Sequence, residues 1–288
     1  MKVAIIVVPY DSGQRGARMG LGPQALLHAG LAERLRRTGS SADTTVVETP
    51  PDLFPGEIAV TVALQRSVAE RVAEARRAGA FPLVLSGNCN SAVGTIGGLR
   101  STGAMKPAVC WFDAHADANT PETTTSGFLD GMAVAMMTGA CWRPLTRSVP
   151  GFAAVSSSHV LLVGTRDVDG LEEDQVQAAG IRRLTVAEVR DSRFSALDGL
   201  SGCDEVYLHV DLDVLDPSEG AANGYAAPGG LTAAMLRETL LEIRRRFKVG
   251  AASFTAYDPS SDPEGRIASI AVDLVSTMVG MQESDNRA

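Results

Sequence analysis

Apolar, largely β-branched runs punctuate the chain at 3–8, 82–85, 107–112, 160–163, 206–210 and 251–255, and each leads into a turn-rich or helix-patterned stretch. Most positions within these runs are apolar, as expected of strands covered on both faces. A weaker strand is predicted at 45–48. Helical periodicity fills 23–37, 59–78 and 91–100 and recurs around Arg244-Arg245-Arg246. Such alternation predicts an α/β fold with a mainly parallel sheet between two helical layers, a three-layer α/β/α domain. No Pro/Gly/Ser-rich linker and no internal repeat divides the sequence, so 1–281 reads as one domain and the polar 282–288 as a frayed tail.

In open α/β sheets, sites form beyond the carboxyl ends of the strands. The polar residues gather there. The run 82–85 leads into Ser86-Gly87-Asn88-Cys89-Asn90, 107–112 into Asp113-Ala114-His115-Ala116-Asp117, and 160–163 into Gly164-Thr165-Arg166-Asp167-Val168-Asp169. The run 206–210 leads into Asp211-Leu212-Asp213, and 251–255 into Ala256-Tyr257-Asp258. In extended chain, Asp113, His115 and Asp117 point to one side. A single Asp after a strand is usually a turn former, but two carboxylates converging beside an imidazole repel each other unless a cation lies between them. The triplet therefore predicts a divalent-metal site. Asp211 and Asp213 at another strand end bring further carboxylates, enough for two ions. Asp216-Pro217 reads as a turn, and His209, deeper in its strand, as a core residue.

Composition narrows the setting. The 288 residues are 45% hydrophobic and 21% charged, ordinary for a soluble enzyme. A net charge of −8 argues against a sequence-independent nucleic-acid binder. The opening MKVAIIVVPY ends without a signal cleavage site, and no apolar stretch reaches membrane-spanning length. The four cysteines are far apart with no C-x-x-C, giving neither a disulfide framework nor a zinc ribbon. A cytoplasmic protein with neither nucleic-acid nor membrane partners is expected.

With Gly20-Leu21-Gly22-Pro23 and Asn119-Thr120-Pro121, these segments resemble the arginase/agmatinase (ureohydrolase) family over nearly the whole length. The resemblance implies an arginase-like fold, a homo-oligomer (trimer or hexamer), and a dinuclear manganese site that hydrolyses linear C–N bonds of guanidino compounds. Asp113 and Asp211 match the bridging carboxylates, Asp117 completes one metal site, and His115 with Asp213 the other. A water shared by the ions, with lowered pKa, is the implied nucleophile. Asn119, Thr124 and Ser126 match positions that receive the substrate α-carboxylate, and Asp169 and Glu172 those near its α-amino group.

Three positions depart from the family pattern. Cys89 occupies the place of a metal-ligating His. Beside a dication a thiol deprotonates and ligates; the other reading is a small buried hydrophobe. A thiolate adds negative charge and favours softer cations than manganese, which predicts unequal occupancy of the two sites. Cys at this position resembles enzymes of the family that act on N-hydroxy-L-arginine. Asp130 stands where the family has a proton-shuttling His; with a raised pKa it is a candidate shuttle, and otherwise a loop residue. Ala256 stands where arginases pair a Glu with the guanidinium, so the bidentate partner is missing. The expectation is a dinuclear-metal hydrolase acting on N-hydroxy-L-arginine or a related modified arginine ahead of arginine. Alternatives are the same fold acting on an amide or formimino substrate, or a non-catalytic metabolite binder.

Overall fold

The computed structural model describes residues 1–280, so the tail expected at 282–288 lies outside the described residues. Eight strands form one sheet: β1 (Lys2–Val8), β2 (Ser41–Val46), β3 (Phe81–Ser86), β4 (Pro107–Phe112), β5 (Val160–Val163), β6 (Arg182–Leu184), β7 (Glu205–Asp211) and β8 (Val249–Thr255). Their spatial order is β2-β1-β3-β8-β7-β4-β5-β6, with every pairing parallel. β3, β4, β5, β7 and β8 are buried at every position, which is why their sequences are apolar throughout rather than alternating.

The two-residue period of the strands divides the core into two layers. Val3, Ile5 and Val7 of β1 join Leu83, Leu85, Phe112 and Phe254 on one face. Ile6 and Val8 join Val84, Trp111 and Tyr207 on the other. The first face is covered by α1 (Gly22–His28) and α2 (Leu31–Arg37), and the second by α3 (Glu57–Arg77), α4 (Ala92–Arg100), α5 (Ala133–Thr138) and α6 (Gly170–Ala178). The first layer is completed by α7 (Ala233–Arg246) and α8 (Arg266–Gly280). The expected three-layer α/β/α architecture is the observed one.

Local differences have identifiable causes. The helix predicted at 23–37 is two helices, because Gly30 adopts the left-handed conformation (φ 91°) between them. The strand expected at 45–48 runs instead from Ser41 to Val46. As an outer strand with mostly exposed side chains, it has no apolar run to mark it. β6, at the other edge and containing two arginines, was invisible for the same reason.

One helix contact bears on the site. A Cβ on Gly94 would stand 2.4 Å from the Gln65 carbonyl oxygen, and one on Gly98 would stand 2.7 Å from that of Ala69, so α4 lies against α3 only because both positions are glycine. Gln65 Nε2 then donates to the Asn90 carbonyl at 3.1 Å, tying α3 to the turn that carries Cys89.

Candidate active site

Each chemically active segment follows the carboxyl end of a neighbouring central strand, as the sheet topology requires. Asp113, His115 and Asp117 do converge, but not as extended chain. β4 ends at Phe112, the backbone bends at Ala114 and His115, and Asp117 takes φ 49°. A left-handed, non-glycine residue at this point is strain held in place by its surroundings. Beyond β7, Asp211 accepts from the Asp213 amide at 2.8 Å and thereby folds the Leu212–Val214 turn that turns Asp213 inward.

Two sets of ligand atoms result, each with all members within 4.8 Å of one another: Cys89, Asp113 and Asp117, and Asp113, His115 and Asp213. Asp113 belongs to both. Asp211 belongs to neither set, but it accepts from Cys89 Sγ at 3.1 Å. Trp111 Nε1 donates to Asp113 Oδ2 at 3.0 Å, and the Ala114 amide and Asn223 Nδ2 donate to the two oxygens of Asp213, each at 3.2 Å. His209 is a core residue, stacked on Trp111 with centroids 3.5 Å apart and hydrogen-bonded to Tyr207 and Thr255. Thr255 Oγ1 also lies 3.2 Å from Cys89 Sγ.

The four aspartates are buried, and His115 is the cationic partner closest to them. Burial and mutual repulsion hold Asp117 and Asp211 well above the usual carboxylate range and bring Asp213 up to about 6. Burial opposes ionisation of Asp113 too, but hydrogen bonds and charge from His115 keep it low. His115 is held up at about 9, against its burial, by Asp113, Asp213 and Asp167. The Cys89 thiol is raised by burial and by Asp211. So many desolvated acids around one centre do not neutralise themselves. The donor set of carboxylates, one imidazole and one thiol fits two divalent cations.

The cluster floors a cleft of about 260 Å³. Asn119, Ser126, Asp169, Glu172 and Asp130 all line it. Thr124 does not; its hydroxyl accepts from the Gly127 amide at 3.0 Å, and Thr125 lines the cleft instead. Glu172 Oε1 accepts from the Ala118 amide at 2.8 Å, bracing the ligand loop as well as facing the cleft. Burial brings the Asp130 carboxyl up to about 7, against the hydrogen bonds donated by Asn90, Cys89 and Asn88.

Sequence reasoning passed over Asn223, Tyr225, Phe128 and Met19, which also line the cleft. Phe128 and Tyr225 stack with centroids 5.7 Å apart. Asn223 and Tyr225 lie in the irregular connection after Asp216, where no periodicity exists to mark them. Arg166 was passed over too. Its guanidinium donates to six backbone carbonyls, among them those of Asp213 and Ala227.

The family model for the arginase family matches residues 1–280. The chain belongs to the arginase family. It is 33% identical to arginase-1 of Rattus norvegicus over 87% of this chain and 82% of that one. It is 30% identical to the arginase of Bacillus caldovelox over 96% and 98% of the respective chains. The crystal structure of arginase from Bacillus cereus superposes with a TM-score of 0.88 at 27% identity, covering 98% of this chain and 99% of that one. Arginase family members are metal-dependent hydrolases of guanidino C–N bonds that use a dinuclear metal centre, and the reading of this chain as such an enzyme stands with them. Among the described residues no helix is long and apolar enough to cross a membrane.

Proposed function

We propose that this arginase-family hydrolase acts on N-hydroxy-L-arginine, releasing hydroxyurea and ornithine, in preference to arginine. The observation that carries the reading is Ala256 at the cleft wall. Its position, matched in arginases by a Glu, offers no carboxylate, and its carbonyl is engaged by Asn223 Nδ2 at 2.8 Å. An N-hydroxyguanidine is less basic than a guanidine and carries an extra oxygen. A short, uncharged wall both admits that oxygen and forgoes the ion pair that a guanidinium demands.

The rest of the cleft suits a cationic amino acid. Seven of its lining residues are Asp or Glu, and none is Lys or Arg. Asn119 and Ser126 are assigned to the substrate α-carboxylate, and Asp169 with Glu172 to the α-ammonium. Thr124 is assigned only an indirect role, through the loop it braces. The stacked Phe128 and Tyr225 wall the cleft.

Cys89, Asp113 and Asp117 would hold one ion, and His115 and Asp213, with Asp113 and Asp211 shared, the other; manganese is the family's metal. When bound, the pair supplies Lewis acidity and lowers the pKa of water toward neutrality. The chain's own contribution is orientation. Trp111, Ala114 and Asn223 fix the carboxylates of Asp113 and Asp213 in place. Homo-oligomeric assembly in the cytoplasm is proposed by family precedent and is checked by light scattering and cell fractionation.

The test is product identification. Purified protein loaded with manganese is offered arginine, N-hydroxy-L-arginine, agmatine and a formimino amino acid. Hydroxyurea as the fastest product supports the proposal. Faster release of urea would overturn the substrate, and turnover of the formimino compound alone would favour the second reading, to which Ala256 also lends support.

A further inference from the structure

We propose that Asp130 is a positioning residue for Cys89: its carboxylate grips the turn from Asn88 to Asn90 and so aims the thiol at Asp113 and Asp117. The proposal rests on the reading of Cys89 as a metal ligand.

Three consecutive residues hold this one carboxylate. Asp130 Oδ1 accepts from the Asn90 amide at 3.0 Å, Oδ2 accepts from Asn88 Nδ2 at 2.9 Å, and the Cys89 amide donates as well. The amides belong to the Cys89–Ser91 turn that opens directly into α4, where backbone N–H groups have no partner within the helix. Asn88, at the N-cap position of that turn, makes no capping bond with its own side chain. The acceptor comes instead from a segment 42 residues away in the chain.

Asn88 is itself immobilised. Its Oδ1 accepts from the Ser12 amide at 2.9 Å, and its Nδ2 also donates to Asp11 Oδ1 at 3.3 Å. Asp11 is fully buried and is paired with Arg18 at 2.9 Å. The side of the turn facing away from the cluster is thus anchored through Arg18, Asp11 and Asn88, and the side facing the cleft through Asp130. Between these anchors the backbone of Cys89 has one place to be, with Sγ beside Asp211 and Thr255. A proton shuttle must turn an oxygen toward the leaving group. Asp130 has both oxygens committed to the turn, so its geometry suits holding the turn more than carrying protons.

Cobalt(II) reports the thiol directly, because a cobalt–thiolate bond absorbs in the near ultraviolet and carboxylate or imidazole ligands do not. The full-length protein is loaded with cobalt(II), and the band is assigned to Cys89 by its loss in Cys89→Ser. Asp130→Ala should lose roughly half of the band or more and bind cobalt about tenfold more weakly, the usual effect of removing a group that orients a ligand. Asp130→Asn, which keeps an acceptor for the Asn90 and Cys89 amides, should retain most of it. If Asp130→Ala does not fold, Asp130→Leu, which keeps the volume and offers no acceptor to the turn, makes the same comparison against Asp130→Asn. A band and affinity unchanged in Asp130→Ala while turnover collapses would overturn the proposal in favour of a proton carrier. A wild-type protein without the band would overturn the ligand reading and this proposal together.

Discussion

Arg166→Met should loosen the whole cleft without touching a ligand side chain. The half-buried guanidinium, in the loop after β5, donates to Asp213 O at 3.0 Å and Ala227 O at 2.7 Å through Nη2. Further bonds reach Gly164, Val214, Leu215 and Pro228. One side chain thus ties together the loop after β5, the turn carrying Asp213 and the connection carrying Asn223 and Tyr225. A hydrogen bond from a charged donor contributes about 1.5–3 kcal/mol. Because Arg166 keeps part of its surface in water, only the two shortest Nη2 bonds are counted, at the lower value. That gives a destabilisation of about 3 kcal/mol. With a urea dependence of about 3 kcal/mol per molar for a chain this large, the midpoint should fall by about 1 M. Metal-free protein followed by circular dichroism is the assay, so that altered metal affinity does not enter. Arg166→Lys should lose nearly as much, since a compact ammonium reaches fewer of the carbonyls. A midpoint lowered by less than about 0.3 M in the Met variant, worth about 1 kcal/mol, would refute the argument.

Further outcomes follow from the cluster. In metal-free protein the raised pKa values, about 6 for Asp213 and about 7 for Asp130, mean that the folded state holds protons that the unfolded chain releases at lower pH. The associated stability is present below the ordinary carboxyl range and is lost as pH rises through about 6 to 7. The melting temperature of chelated protein should therefore fall between about pH 5 and 8, whereas metal affinity should rise as ligands deprotonate; a chelated protein that gains stability over that range contradicts the assignment. Cys89→His removes a thiolate charge and should even out manganese occupancy. Two equal, full manganese sites by anomalous scattering in the wild type would end the case for asymmetry. Ala256→Glu should shift the ratio of kcat/KM toward arginine by about tenfold or more, the scale of one charge-assisted bond; an unchanged ratio would detach Ala256 from specificity.

Much of the fold was legible because the central strands are covered on both faces and have to be apolar. Where that constraint lapses, at the edge strands β2 and β6, legibility lapsed with it. That these polar residues gather at one place was readable from spacing, although Asp113, His115 and Asp117 meet through a bend and a left-handed residue rather than by strand alternation. Arg166, Asn223 and Asn88 were not readable as working parts. Their roles depend on carbonyls and carboxylates brought up by other segments, and nothing in a local pattern of polar residues encodes a partner dozens of positions away.

β8 follows all the other strands in sequence yet lies in the middle of the sheet, between β3 and β7. β4 and β7 pair directly, so Asp113, His115 and Asp213 meet at the ends of adjacent strands. Cys89 follows β3, on the far side of the gap that β8 fills. The thiol side of the cluster therefore spans the strand that comes last in the chain, and Thr255 at the end of that strand lies against Cys89 Sγ. A change that loosened β8 would separate Cys89 from Asp113 and Asp117 while leaving Asp113, His115 and Asp213 together.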